Sequence, residues 1–143
     1  MVNALVYASS ARPSLTDAEL DVLLLHSRTL NALRGITGVL IKDGVAIVQY
    51  LEGPADAVER TFARIAASPH HHDVQVLARA SDVTRRFDTW HMAFKGFQRQ
   101  YRRMDDTGTW IDALDEAQAG EPANVALSIL VARWNAMVEA RRE

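Results

Sequence analysis

The 143-residue sequence contains no cysteine, only four prolines and seven glycines, and just 7% aromatic residues. Without thiols there is no disulfide scaffold, no thiolate zinc site, no iron–sulfur cluster and no cysteine nucleophile. The same absence fits a reducing compartment, so a cytoplasmic location is expected. No run approaches the ~18 apolar residues that a membrane span requires. The opening Met1-Val2-Asn3-Ala4 also lacks the basic start of a signal peptide. An excess of one charge is missing as well. Sixteen Lys and Arg stand against eighteen Asp and Glu, a formal charge of −2. That balance gives no electrostatic reason to expect nucleic acid or an anionic membrane as partner. What remains, 48% hydrophobic and 24% charged residues, is the balance of one globular domain large enough to fold without a metal.

The hydrophobic pattern orders the elements. Val2 to Tyr7 is apolar and partly β-branched, a strand that small residues end at Ala8-Ser9-Ser10. Thr16 precedes Glu19 by the spacing of a capping box, so a helix is expected from about Asp17 to Ala32, closed by Arg34-Gly35. Ile36 to Ile41 and Ala46 to Leu51 flank Lys42-Asp43-Gly44, the signature of a hairpin. Pro54 opens a second helix in which Val58, Phe62 and Ile65 face inward while Glu59, Arg60 and Arg64 face outward. Strands follow at Val74 to Ala80 and at about His91 to Phe94.

That order, βαββαββ, predicts an α+β, ferredoxin-like sheet with two helices on one face and an added edge strand. Residues 1–95 form this unit. Residues 96–143 read as a linker and two helices, about Trp110 to Gln118 and Pro122 to Ala140. The last is apolar over a broad arc, as for a helix packed on the sheet or in an oligomer interface.

Three polar residues interrupt core positions. Asn31 shares the helical face of Leu24 and Leu20 to within about 20°. Gln49 alternates with Ile47 and Leu51, so either it points at the helices or they point out. Tyr7 shares a face with Asn3 and Leu5. Buried amides and phenols must be satisfied or cost about 1–3 kcal/mol each. Satisfaction within the core is one reading; convergence on a flat polar ligand between the helices is the other.

Tyr7-Ala8-Ser9, Ser27-Arg28-Thr29-Leu30-Asn31 and Gly35-Ile36-Thr37-Gly38-Val39-Leu40 resemble the opening motifs of the BLUF family, the flavin-binding blue-light sensors. Gln49-Tyr50-Leu51-Glu52-Gly53, Ser68-Pro69-His70-His71-His72-Asp73-Val74 and Arg85-Arg86-Phe87-Asp88-Thr89-Trp90-His91-Met92 continue the match in order. The resemblance implies FAD, with FMN as the alternative, held between the two helices. It implies Tyr7 as electron and proton donor to the excited flavin, and Gln49 as the bridging amide whose hydrogen bonds rearrange in light. Trp90 and Met92 become the relay on the last strand. Asn31 becomes the ligand of the pyrimidine edge, and Ser27, Arg28 and His71 further flavin contacts. Leu30 and His70 depart from the family's usual polar residue and arginine, and Val45-Ala46-Ile47 from its usual phenylalanine.

The resemblance implies a sensor that turns over no substrate and signals to an unidentified protein effector or through a homo-oligomer, a dimer or larger. Two alternatives stand beside it: a flavin-free, ferredoxin-like regulatory or oligomerising module, and a small flavin oxidoreductase. No metal site is expected, because three adjacent histidines do not offer zinc its geometry; they read as a solvated loop. Arg85-Arg86 and Arg102-Arg103 read as solvated surface, and Trp110 and Trp134 as packing residues of the tail helices.

Overall fold

A computed structural model describes residues 2–87, the backbone of 93–96, and 124–140. Its elements are β1 (Val2–Ala11), α1 (Asp17–Arg34), β2 (Thr37–Asp43), β3 (Ala46–Gly53), α2 (Ala55–Ala66), β4 (His71–Val83), β5 (Ala93–Gly96) and α3 (Val125–Ala140). The strands join in the order β4-β1-β3-β2-β5. β1 runs antiparallel to both β3 and β4, β2 antiparallel to β3, and β5 parallel to β2 at the edge. Two βαβ crossovers, β1-α1-β2 and β3-α2-β4, each straddle one strand, and the right-handed rule for such crossovers brings both helices to one face.

That arrangement divides the core in two. On the helical face Leu5, Tyr7, Ile36, Ile47 and Leu51 pack with Leu20 and Leu24 of α1 and Val58 of α2. On the rear face Ala4, Val6, Val39, Ile41, Val48 and Tyr50 pack with Ala126, Leu127, Leu130 and Val131 of α3. The inner part of the last helix's apolar arc packs on the sheet, with Trp134 and Met137 partly buried against the same cluster, while Val125, Ala132 and Ala136 stay exposed.

Local signals act as the sequence suggests. The Thr16 side chain accepts from the Glu19 backbone N–H (3.1 Å), and the Glu19 carboxylate accepts from the Thr16 backbone N–H (3.0 Å). Gly35 ends α1 at φ 70°, a left-handed cap that a side chain would resist. Val58 N–H closes the first turn of α2 onto the Pro54 carbonyl.

Several boundaries differ from expectation, among them β3, which runs on past Leu51 to Gly53. β1 does not stop at Ala8 but continues to Ala11, because Ser9 and Ser10 find ladder partners in Ile47 and Ala46. β4 runs from His71 to Val83, not Val74 to Ala80, because it follows β1 along its whole length. Three register shifts let it do so, and the left-handed residues Asp73 (φ 56°) and Asp82 (φ 54°) stand at two of them. His71 and His72 are thus strand residues rather than a solvated loop. The expected helix at Trp110 to Gln118 lies outside the described residues, as do Trp90, His91 and Met92 of the expected last strand.

Candidate functional site

β1 and β3 place Tyr7 directly opposite Gln49 in the ladder, with both side chains toward the helices. The Tyr7 hydroxyl donates to Gln49 Oε1. That bond turns the amide NH2 of Gln49 away from the phenol, so the two groups form a directed donor chain. Both are almost fully buried, at 1% and 4% exposure. Phe62 of α2 tilts against the Tyr7 ring at 5.6 Å, and His71 meets it edge-on at 6.1 Å. Burial pushes the Tyr7 phenol well above its ordinary range, so it keeps its proton at neutral pH.

His71 is fixed at both nitrogens. Nε2 lies 2.7 Å from the Ile65 carbonyl, which can only accept, so Nε2 carries a proton. Nδ1, 2.8 Å from Ser9 Oγ, is then the acceptor of the serine proton in the neutral ring. The histidine thereby ties the end of α2 to β1 beside Tyr7.

Tyr7, Gln49 and His71 wall a cavity of about 370 Å³ beneath α1 and the end of α2. Its flanks are apolar: Leu20, Leu23 and Leu24 from α1, Leu40 and Ile47 from the sheet, Ile65 from α2. Ser27 and His26 border it from α1, and Arg64, Ser68 and His70 from the α2 side. A narrow apolar space with an amide and a cation at its walls suits a flat ring system that has hydrogen-bonding edges.

Arg64 was expected on the outer face of α2; instead it lines this cavity. Its Nη1 is buried with no hydrogen-bond partner among the described residues. Desolvation, and then the neighbouring Arg34 charge, lower its proton affinity. A guanidinium left in that position is poised to meet an acceptor from outside the described residues. Helical periodicity does not reveal this, since Arg64 lies about 120° from Val58 and beside the exposed Arg60.

The remaining expected contacts divide. Ser27 and His71 border the cavity. Asn31 is buried (1% exposed) one turn beyond Ser27, where its backbone carbonyl accepts from Gly35 and Ile36, and it does not line the cavity. Arg28 is half-buried away from the wall, its proton affinity lowered by desolvation and partly restored by Asp21. Trp90 and Met92 lie outside the described residues.

Glu52 is a site residue that strand reading missed. It stands at the strand end before Gly53-Pro54, yet it is wholly buried (0% exposed) on the rear face. Its carboxylate accepts from the Thr37 hydroxyl (3.1 Å), the Tyr50 hydroxyl (3.0 Å) and the backbone N–H groups of Arg86 (2.9 Å) and Phe87 (2.6 Å). Arg85 and Arg86 are accordingly not solvated surface: both are half-buried, and Arg85 Nη1 donates to Thr37 at 2.8 Å. The signal was the period-two alternation itself, which puts Glu52 with Tyr50 on an inner face.

The family model "BLUF: Sensors of blue-light using FAD" matches residues 2–93. Photoactivated adenylate cyclase subunit beta of Euglena gracilis is 36% identical over 73 residues, which is 51% of this chain and 8% of that protein. The chain spans less than a tenth of the length of such cyclase relatives. Among solved structures, "BlrP1 BLUF" superposes with a TM-score of 0.69 at 31% identity, covering 92% of this chain and 88% of that one. The dark-state structure of BlrB, a BLUF protein, superposes with a TM-score of 0.66 at 29% identity over 82% and 95% of the two chains.

Proposed function

The chain belongs to the BLUF family, sensors of blue light using FAD, and we propose that the cavity walled by Tyr7 and Gln49 is where it holds that flavin. It is a light sensor rather than an enzyme. The observation that carries the proposal is the buried hydrogen bond from Tyr7 to Gln49 at the cavity wall.

The residues present fit the group. Leu24, Leu40, Ile47 and Ile65 supply apolar flanks for a flat ring. Gln49 and Arg64 supply donors for carbonyl and nitrogen acceptors at its edge, and Arg64 Nη1 has no acceptor among the described residues. Ser27 and His71 border the same space, with Asn31 and Arg28 farther along α1 as contacts of the larger ligand. FAD is the form we propose, on the family's description.

A bound flavin supplies the absorption of blue light and an excited state that can accept an electron. The chain supplies direction. Tyr7 is the oxidisable group, held neutral by burial, and its proton already points at Gln49 Oε1. Were the phenol to be oxidised, its proton would become strongly acidic, and the Gln49 amide oxygen is the acceptor already in place. Gln49 presents different groups at its two ends, so turning it exchanges donor for acceptor on the side facing the cavity. Residues 1–95 act as the sensory unit. Trp90, Met92 and the extension 96–143 carry the change to a protein effector or a second copy, in the cytoplasm.

Spectra of the purified protein in darkness and after blue illumination test this. A flavin spectrum that shifts to the red and recovers in darkness is expected. A flavin spectrum unmoved by light, or no flavin bound after reconstitution, overturns the proposal.

A further inference from the structure

β3 alternates, so Gln49 and Tyr50 share one peptide bond but face opposite sides of the sheet. Gln49 meets the cavity, and Tyr50 lies wholly buried on the rear face (0% exposed). The Tyr50 hydroxyl donates to Glu52 Oε2 at 3.0 Å and accepts from Asn124 Nδ2 at 2.7 Å. Asn124 is also the cap of α3: its Oδ1 accepts from Leu127 N–H (3.1 Å), and its carbonyl accepts from Ser128 N–H (3.1 Å). Two donor chains therefore converge on one carboxylate. One runs from Asn124 through Tyr50, the other from Arg85 through Thr37. The backbone N–H groups of Arg86 and Phe87 complete the set, and Phe87 packs edge-on against Tyr50 at 5.5 Å.

We propose that Tyr50 and Glu52 are positioning residues that hand the hydrogen-bond state of Gln49 through β3 to the start of α3 and to the 85–87 segment. The inference rests on the light-sensing reading above. It adds a rear-face route that uses neither Trp90 nor Met92.

The physical case is that the network cannot yield piecemeal. Glu52, Tyr50, Thr37, Phe87 and Asn124 are all at most 3% exposed, so a bond lost to a small shift of β3 strands buried polar atoms at both of its ends. A buried chain of this kind is satisfied in the arrangement seen and must be remade as a whole if β3 shifts. The buried side chains Ala126, Leu127, Leu130 and Val131 of α3 pack on the sheet without comparable directionality. Asn124 is thus the point at which strand geometry sets the register of the helix, because one side chain both caps α3 and bonds the strand.

The test uses the full chain with flavin bound, in wild-type form and as Tyr50→Phe and Asn124→Ser. Serine keeps a capping oxygen but cannot reach Tyr50 as a donor. Two quantities are read: the light-minus-dark absorption shift, and the light-minus-dark hydrogen exchange of the Arg86, Leu127 and Ser128 amides. Wild type is expected to show both. Each variant is expected to keep the absorption shift and to lose the light-dependent exchange difference at Leu127 and Ser128. A variant that keeps that difference overturns the relay, as does a wild type that shifts its spectrum without any exchange difference at these amides. A wild type with no absorption shift overturns the sensing reading and the relay together.

Discussion

Tyr7 and Gln49 are paired twice over, once through the backbone register of β1 and β3 and again through the phenol proton that Gln49 Oε1 accepts. Because the ladder fixes the separation of the two strands, neither side chain can be replaced without leaving the other short of its partner. Gln49→Leu is expected to abolish the light-induced absorption shift while flavin stays bound. Tyr7→Phe keeps the ring and removes the proton, so the shift is lost with little change in packing. Each should cost about 1–3 kcal/mol of stability, from the buried polar group it abandons. Difference spectroscopy and urea titration check this; a Gln49→Leu protein with the wild-type shift contradicts the assignment.

Arg64 provides a second, independent prediction. Its buried Nη1 lacks an acceptor among the described residues, so a ligand edge that supplies one gains a charge-assisted bond. Arg64→Ala is expected to weaken flavin binding by about tenfold or more, corresponding to the roughly 1.5–3 kcal/mol of such bonds. Arg60→Ala, on the exposed face of the same helix, should leave affinity unchanged. Flavin fluorescence quenching on titration into apoprotein measures both. Equal affinities for the two variants would remove Arg64 from the site.

These two sites show where sequence reading holds and where it fails. The βαββαββ order, the capping box at Thr16 and Glu19, and the Gly35 cap follow from local rules that the tertiary structure leaves untouched. The inward turn of Gln49 also agrees, because period two leaves only two choices. Arg64 was misread because a charge was assumed to seek water, and Glu52 was passed over because the strand was ended at Leu51. Glu52 instead finds donors from Tyr50 on its own strand and from Thr37 and the Arg86 and Phe87 backbone, brought to it from two other places in the chain. Alternation places Glu52 inward beside Tyr50, but no local pattern names the distant donors Thr37, Arg86 and Phe87. The continuation of β1 to Ala11 and of β4 to Val83 was hidden likewise, since partner strands override weak propensity at Ser9, Ser10 and Asp82.

Alkaline pH should expose the cost of the two buried phenols. Desolvation raises Tyr7, while burial, the Glu52 charge and the bond to Glu52 raise Tyr50, partly countered by Asn124 and Arg86. Above about pH 10 the unfolded chain loses these protons and the folded chain does not, so the folded state binds more protons and stability falls as pH rises. Lys42, lowered mainly by desolvation, acts in the opposite direction, but it is only half-buried and the phenols outweigh it. Thermal melts are expected to show a nearly level Tm from pH 8 to pH 9.5 and a decline beyond. The decline should be shallower in Tyr50→Phe. An unchanged slope in that variant would mean that Tyr50 does not carry the effect.

Gly38 sets how closely β2 approaches β3, and so where Gln49 stands. A Cβ built on Gly38 would lie 1.9 Å from the Tyr50 carbonyl oxygen and 3.0 Å from its carbon. The obstacle is backbone, so no rotamer change relieves it; the strands must part or the ladder must shift. Gly38→Ala is expected to cost about 3 kcal/mol or more, at the upper end of overpacking penalties. Gly44→Ala is the control. At φ 60° in the hairpin turn it meets nothing within 4 Å, so only the left-handed strain of roughly 1–2 kcal/mol applies. The two differ in a second respect: parting β2 from β3 moves the strand that carries Gln49, whereas strain in the turn does not. The dark flavin absorption maximum should therefore move in Gly38→Ala and stay in Gly44→Ala. Urea midpoints and dark spectra of both proteins decide it, and matching penalties with unmoved spectra would show that the sheet absorbs the methyl elsewhere.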